Sequence, residues 1–350
     1  MNAPQNIHVR LPNWVGDLVM ATPALRALRH GFPEAKITVE GRSYMRYLMD
    51  PLETVDEFLD YPYPERGFGP LIKRVRDLRA RHFDLSLLLP DSQSAAMGPF
   101  LARIPRRFGY ARDLARRVLM TEALPPHKEN GKRVPISMIE RYLRLTRHLG
   151  CEDQGTHMTL MVTDEWRTSL AERLAEHGID EDQPILLCIT GASFGASKMW
   201  PAEYFAEAAD TLGERHGLRA VLAPGPGEEI IGSQVGEYMQ GPCAVLIDPV
   251  LNLGEVAALV ERARVVISND TGPRQMAVTL GIPCVVPFGP TDRRYTDHFL
   301  ENQTLLSEDV DCAPCGLKIC PIDHRCMRNL RPERVIDAAE AYLSAEQVST

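Results

Sequence analysis

The sequence predicts an α/β protein of two doubly wound domains, and three observations predict it. Short β-branched or leucine-rich runs alternate with helix-period stretches along the whole chain. At 350 residues the chain exceeds a typical single domain and has length for two cores. Two strand-to-helix turns of the second half, 190–201 and 268–274, are rich in the small and hydroxyl residues that suit ligand sites at the carboxyl ends of parallel strands.

Taken in order, residues 7–11 read as a first strand, followed by Pro12-Asn13-Trp14-Val15-Gly16-Asp17 and a helix over 18–30. This turn holds one glycine instead of G-x-G-x-x-G, which disfavours a nicotinamide or flavin enzyme. Asp17 stands at the helix start, where open α/β sheets place their ligands; a capping carboxylate is the alternative. Further strands are expected at 36–40, 55–59, 85–89 and 107–110, with helices at 43–49, 70–82 and 93–102. Residues 111–134 are polar and basic and contain Pro125-Pro126, so they read as a long loop. An amphipathic helix over 135–150 closes the first half, and 151–158 read as the linker.

The second half opens with a helix over 164–178. Strands follow at 185–190, 219–223, 244–247, 265–268 and 283–288, with helices at 201–216, 228–239, 253–262 and 274–280. The turn Asn269-Asp270-Thr271-Gly272 leads into a helix whose unpaired N–H groups suit a phosphate, with a Thr271 hydroxyl beside them and close approach at Gly272. An ordinary N-cap is the competing reading. The stretch 190–201 adds Ser193 and Lys198, a lysine able to meet a diphosphate as a point charge, although the P-loop spacing is absent. The resulting domains are 1–158 and 159–331, meeting at a cleft, with 332–350 as a helix packing back across them.

Composition narrows the class. Hydrophobic residues make up 44% and charged residues 25%, as in soluble globular proteins. No apolar run approaches a membrane span and no signal peptide precedes the first strand, so a cytoplasmic protein with reduced thiols is expected. Net charge is −8, yet residues 1–160 carry 24 Lys+Arg against 18 Asp+Glu, and the remainder 15 against 29. The basic half invites a polyanion, through stretches that include Arg74, Arg106 and Arg107, or simply presents solvated helix faces. Aromatic residues do not interleave with these cations, which argues against nucleic acid. Cys312, Cys315, Cys320 and Cys326, spaced C-x2-C-x4-C-x5-C, fit a structural metal site, free thiols or a redox-formed disulfide.

Trp14-Val15-Gly16-Asp17, Ser197-Lys198-Met199-Trp200-Pro201, Asp270-Thr271-Gly272-Pro273 and Phe288-Gly289-Pro290-Thr291, in that order, resemble glycosyltransferase family 9, the ADP-heptose:lipopolysaccharide heptosyltransferases. The run from Cys312 to Met327 is similar to the tail of the heptosyltransferase II branch. The resemblance covers nearly the full length. It implies a GT-B fold of two Rossmann-like domains and an inverting transfer without a metal or other cofactor. It places Asp17 as catalytic base, Lys198 and Ser193 on the donor phosphates, Glu228 on the ribose and Leu251 by the adenine. Asp270 falls on the donor sugar, and Thr271 with Gly272 on the diphosphate. The implied partners are ADP-heptose and an anionic lipid A-core acceptor met by Arg74, Arg106 and Arg107, with peripheral contact at the cytoplasmic face of the inner membrane. Gln275 departs from the histidine usual at its position, which leaves a different nucleotide sugar or acceptor open. A non-catalytic nucleotide-sugar-binding protein and a redox or metal module built on the cysteines are the readings from other classes.

Overall fold

Strands this short and this apolar on both faces must lie between helices to escape water. The computed structural model describes residues 3–61 and 68–348. The chain falls into two units, one of Met1–Met161 with Arg294–Thr296, the other of Val162–Arg293 with Asp297–Thr350.

The first unit runs β1 (Asn6–Arg10), α1 (Val15–Met20), α2 (Thr22–Gly31), β2 (Lys36–Gly41), α3 (Arg46–Met49), β3 (Glu57–Asp60), α4 (Phe68–Ala80), β4 (Leu85–Leu88), α5 (Gln93–Leu101), β5 (Arg106–Tyr110), α6 (Leu114–Leu119), β6 (Glu122–Leu124), β7 (Lys128–Glu129), β8 (Lys132–Arg133) and α7 (Met138–His148). Its six-stranded sheet has the order β3-β2-β1-β4-β5-β6, parallel throughout. The second unit runs α8 (Asp164–Glu176), β9 (Ile185–Ile189), α9 (Ala202–His216), β10 (Arg219–Leu222), α10 (Glu229–Tyr238), β11 (Cys243–Val245), α11 (Leu253–Arg262), β12 (Ala263–Ser268), α12 (Gly272–Leu280), β13 (Cys284–Pro287), β14 (Gln303–Leu306), α13 (Arg325–Arg328) and α14 (Pro332–Val348). Its sheet repeats the pattern, β11-β10-β9-β12-β13-β14, again all parallel. In both units the strand order reverses beside the first strand, and that switch point is where doubly wound sheets hold ligands.

Four expectations are corrected. The expected loop at 111–134 contains α6, the sixth strand β6 and a two-stranded hairpin. Asp113 caps α6 by accepting from the Arg116 amide at 2.8 Å, and Arg116 turns inward to donate to the carbonyls of Tyr110 at 2.6 Å and Pro90 at 2.7 Å. Its charge made a buried anchor, Arg116, read as solvated. β14 was missed because Gln303 and Thr304 break its apolar pattern. The single helix expected over 18–30 is interrupted at Ala21, where the Thr22 hydroxyl donates to the Val19 carbonyl at 2.7 Å and Pro23 opens α2. The helix expected from 274 starts at Gly272, with Pro273 in its first turn. The final helix packs on α9, β12, β13 and β14 of its own unit, through buried Val335, Ile336, Ala339 and Leu343.

Inside the first unit the polar core is built on Glu40, which is fully buried at the end of β2. Arg74 clamps it with Nε at 2.7 Å and Nη2 at 2.8 Å, His8 meets it at 3.2 Å, and Arg10 Nε stands 3.7 Å away. The Tyr61 ring meets both guanidinium groups, its centre 3.9 Å from Arg10 and 4.5 Å from Arg74. Gly98 makes room for this clamp, because a Cβ there would lie 2.6 Å from the Arg74 guanidinium. Burial alone would push the Glu40 carboxyl up, but Arg74 and the His8 hydrogen bond outweigh it and hold the group far below the usual range. The stabilisation is therefore complete above the ordinary carboxylate pKa and fades as pH falls below it. Glu40→Gln leaves two buried guanidinium groups without a counterion, and we expect it to lower the unfolding free energy by about 3–5 kcal/mol. A urea midpoint equal to wild type would contradict that role.

Candidate functional site

The second unit brings the residues after β9, β12 and β13 together at one end of its sheet. Asp270, just beyond β12, is the centre. Lys198 Nζ donates to its Oδ2 at 2.5 Å and to its backbone carbonyl at 3.0 Å. Arg274, in the first turn of α12, donates to Oδ1 at 2.7 Å, and the Thr291 hydroxyl donates to Oδ2 at 2.8 Å. Burial would raise the Asp270 carboxyl, yet Arg274 and Lys198 hold it below its ordinary value. One carboxylate thus faces two cations, which leaves a positive surplus. Beside it, α12 begins at Thr271 with no side chain capping its amides, so their partial positive charge adds to that surplus.

Asn269 locks this turn to the one after β9. Its Oδ1 accepts from the Trp200 amide at 3.0 Å, and its Nδ2 donates to the Thr190 carbonyl at 2.7 Å. Glu228 sits against the same loop. The Gly225 amide donates to it at 3.1 Å, and Ser193 and the Ala192 backbone add hydrogen bonds, although burial dominates and raises its pKa. A Cβ on Gly191 would fall 1.7 Å from Glu228 Oε2, so only glycine admits the carboxylate here. Leu251 is buried immediately before α11. Lys198, Asp270, Thr271 and Gly272 therefore form one cluster, with Ser193 and Glu228 as a second against the loop that Asn269 anchors.

In the first unit Asp17 lies in the first turn of α1, half-buried. The turn before it is fastened by Arg10, which donates to the Leu11 carbonyl at 2.5 Å and to Asn13 Oδ1 at 2.7 Å. Tyr142 of α7, fully buried, has its hydroxyl pushed well above the ordinary value, first by burial and then by the charge of Asp17. The cations expected at the surface are spent differently. Arg74 is 3% exposed and pairs with Glu40, which corrects its placement as a surface cation. Arg106 pairs with Glu122 at 2.9 Å, and Arg107 donates to the Leu119 carbonyl at 2.9 Å. A cavity of about 820 Å³ lies beside Arg74, away from Arg106 and Arg107, and is lined among others by Glu40, Ser43, Tyr61, Lys73 and Arg81.

Comparison with known proteins gives the family. A family model described as glycosyltransferase family 9 (heptosyltransferase) matches residues 71–325. The chain belongs to glycosyltransferase family 9. Among curated relatives, this family 9 chain is 26% identical to lipooligosaccharide heptosyltransferase 2 of Haemophilus ducreyi, over 95% of its own length and 98% of that protein's. It is also 26% identical to lipopolysaccharide heptosyltransferase 2 of Escherichia coli, over 81% and 83%. The solved structure of E. coli ADP-heptose lps heptosyltransferase II superposes with a TM-score of 0.80 at 24% identity, covering 98% of this chain and 99% of that one. A GT-B fold and glycosyltransferase activity follow for the present chain.

Sequence reasoning missed several residues of this glycosyltransferase's polar cluster. Arg274 and Thr291 lie inside or beside quoted motifs but carry no local signal of their pairing with Asp270. Gln275, the departure from the family's histidine, accepts through Oε1 from His298 Nε2 at 3.0 Å, and Gln303 of β14 accepts from Arg274 Nε at 2.9 Å and donates to the His298 carbonyl at 2.5 Å. An imidazole thus stands beside position 275, supplied from a distant part of the sequence. The cysteine-rich tail supports the Lys198 loop instead: Ser197 donates its amide to the Lys318 carbonyl at 3.1 Å, and His324 meets the Ser197 carbonyl at 2.7 Å. All eight cysteines are unpaired. Among the described residues, no group of three or more His, Cys, Asp or Glu is placed to hold a metal ion.

Burial, then the charge of Arg274, lowers the His298 pKa from 6.5 to about 4. The unfolded chain takes up this proton near 6.5 and the folded one only near 4, so stability contributed by the neutral ring falls as pH drops through that window. Melting temperatures measured from neutral to acid pH should fall less steeply there for His298→Gln than for wild type. Parallel curves would remove His298 from the acid limb.

Proposed function

We propose that the protein moves a heptose from ADP-heptose to the inner core of lipopolysaccharide, with inversion and without a metal ion. The observation that carries this reading is the surplus of positive charge around Asp270 beside the uncapped start of α12, a site for a diphosphate leaving group. Relatives named as lipooligosaccharide and lipopolysaccharide heptosyltransferases, matched over 98% and 83% of their lengths, support the heptose and the acceptor. A solved heptosyltransferase of E. coli with ADP-2-deoxy-2-fluoro heptose shares the fold at a TM-score of 0.67.

In this reading the Asp17 carboxylate takes the proton of an acceptor hydroxyl as its oxygen attacks the anomeric carbon. The bond from that carbon to the diphosphate breaks on the opposite face, and ADP departs. Lys198, Ser193, Thr271 and the amides from Gly272 onward meet the charge that grows on the phosphates. Glu228 accepts from the ribose hydroxyls, Leu251 packs by the adenine, and Asp270 contacts the sugar while it orients Lys198.

The acceptor is an anionic, lipid-borne saccharide bound by the first unit, with the enzyme working peripherally at the cytoplasmic face of the inner membrane. Exposed cations such as Lys73, Arg76, Arg79 and Arg103 take its phosphates. Arg74 acts through Glu40, and Arg106 and Arg107 shape the edge of the same basic surface. No helix among the described residues is long and apolar enough to cross a membrane.

Asp17→Ala is expected to lower turnover of ADP-heptose by about 10²–10⁴-fold while ADP affinity, measured by calorimetry, stays at the wild-type value. Near wild-type turnover in that variant would remove Asp17 as base.

A further inference from the structure

Helix α6 is turned inside out. Its Leu114 and Val118, one turn apart, are 80% and 65% exposed, whereas Arg116 on the opposite side is fully buried. The inward position is filled because the Arg116 guanidinium closes three backbone carbonyls, those of Tyr110, Pro90 and Ser92. Rolling the helix to hide Leu114 and Val118 would strand those carbonyls and the charge, so the outward leucine and valine are fixed by the fold.

Two more apolar side chains, Phe100 and Leu101 at the end of α5, are over a third exposed. Arg107 joins the two helix ends: its guanidinium lies 5.5 Å from the Phe100 ring centre while its Nε donates to the Leu119 carbonyl at 2.9 Å. The rim is cationic. Residues 100–119 hold six arginines and one acidic residue, Asp113, whose carboxylate is the cap of α6. Arg103, Arg112 and Arg117 are exposed.

We propose that this face, Leu114 and Val118 with Phe100 and Leu101 inside a rim of Arg103, Arg112 and Arg117, docks the enzyme on an anionic lipid bilayer. The apolar side chains enter the headgroup boundary and the guanidinium groups bind lipid phosphates. Charge complementarity selects this occupant, since a nucleic acid offers nothing to the exposed leucine and valine. The proposal deepens the peripheral reading given above and rests on the acceptor being carried by a membrane.

The test is cosedimentation of the full chain with phosphatidylglycerol-containing vesicles and with phosphatidylcholine vesicles, at low and high salt. Wild type is expected to sediment with the anionic vesicles only, and less so at high salt. Leu114→Asp with Val118→Asp should weaken that binding by about tenfold or more, with melting temperature and transfer to a delipidated acceptor unchanged. If the double variant melts early, Arg117→Glu should show a loss in the same direction. Wild type that ignores anionic vesicles, or variants that bind them as wild type does, would overturn the docking face. Failure of heptose transfer by wild type, with vesicle binding intact, would instead overturn the activity and leave the face standing.

Discussion

The second unit depends on one carboxylate. Asp270 is nearly out of water, and it is tolerated there because Arg274, Lys198 and Thr291 all converge on it. Remove it, and a buried arginine and a largely buried lysine are left repelling each other. Keep it, and the lysine is held against the residue that precedes α12, with charge to spare. The same contact stabilises the turn and, in the proposed reading, prepares it for an anion, as a preorganised electrostatic site requires.

The first unit solves a related problem with Glu40. Its two arginines both pack on Tyr61, and one of them, Arg10, continues to the carbonyl of Leu11 and the side chain of Asn13. Burying a charged network at the end of the sheet costs stability compared with a well-packed apolar core. What it provides is a rigid turn between β1 and α1, so that Asp17 is presented from a fixed backbone. In both units a buried charged cluster lies at the carboxyl end of the sheet.

Much of this was legible beforehand. Runs such as Ile185 to Ile189 can only be central strands, and the turn residues Asn269 to Gly272 announce a helix start facing a ligand edge. Sequence alone could not say which charges are spent internally. Arg74, Arg116 and Arg274 look like surface cations because their partners, Glu40, the Tyr110 carbonyl and Gln303, lie tens of residues away or belong to the backbone. For the same reason the segment after Tyr110 read as a loop, although its arginine was an anchor. His298 beside Gln275 was invisible too: a pair separated in sequence has no periodicity to betray it.

The cysteine-rich tail shows how a motif with metal-like spacing can have a packing role. Its backbone carbonyls at Leu317 and Lys318 receive Ser197, and Cys326 is buried with its thiol pushed up to about 11 by burial, a small apolar plug in place of a reactive group. Tail, Asn269 and Asp270 together fix where the Lys198 ammonium stands. The central claim is that this ammonium binds the donor's diphosphate, and titration calorimetry of ADP against wild type and Lys198→Ala tests it most directly. The account predicts an ADP dissociation constant at least about tenfold higher in the variant; an unchanged constant would contradict it.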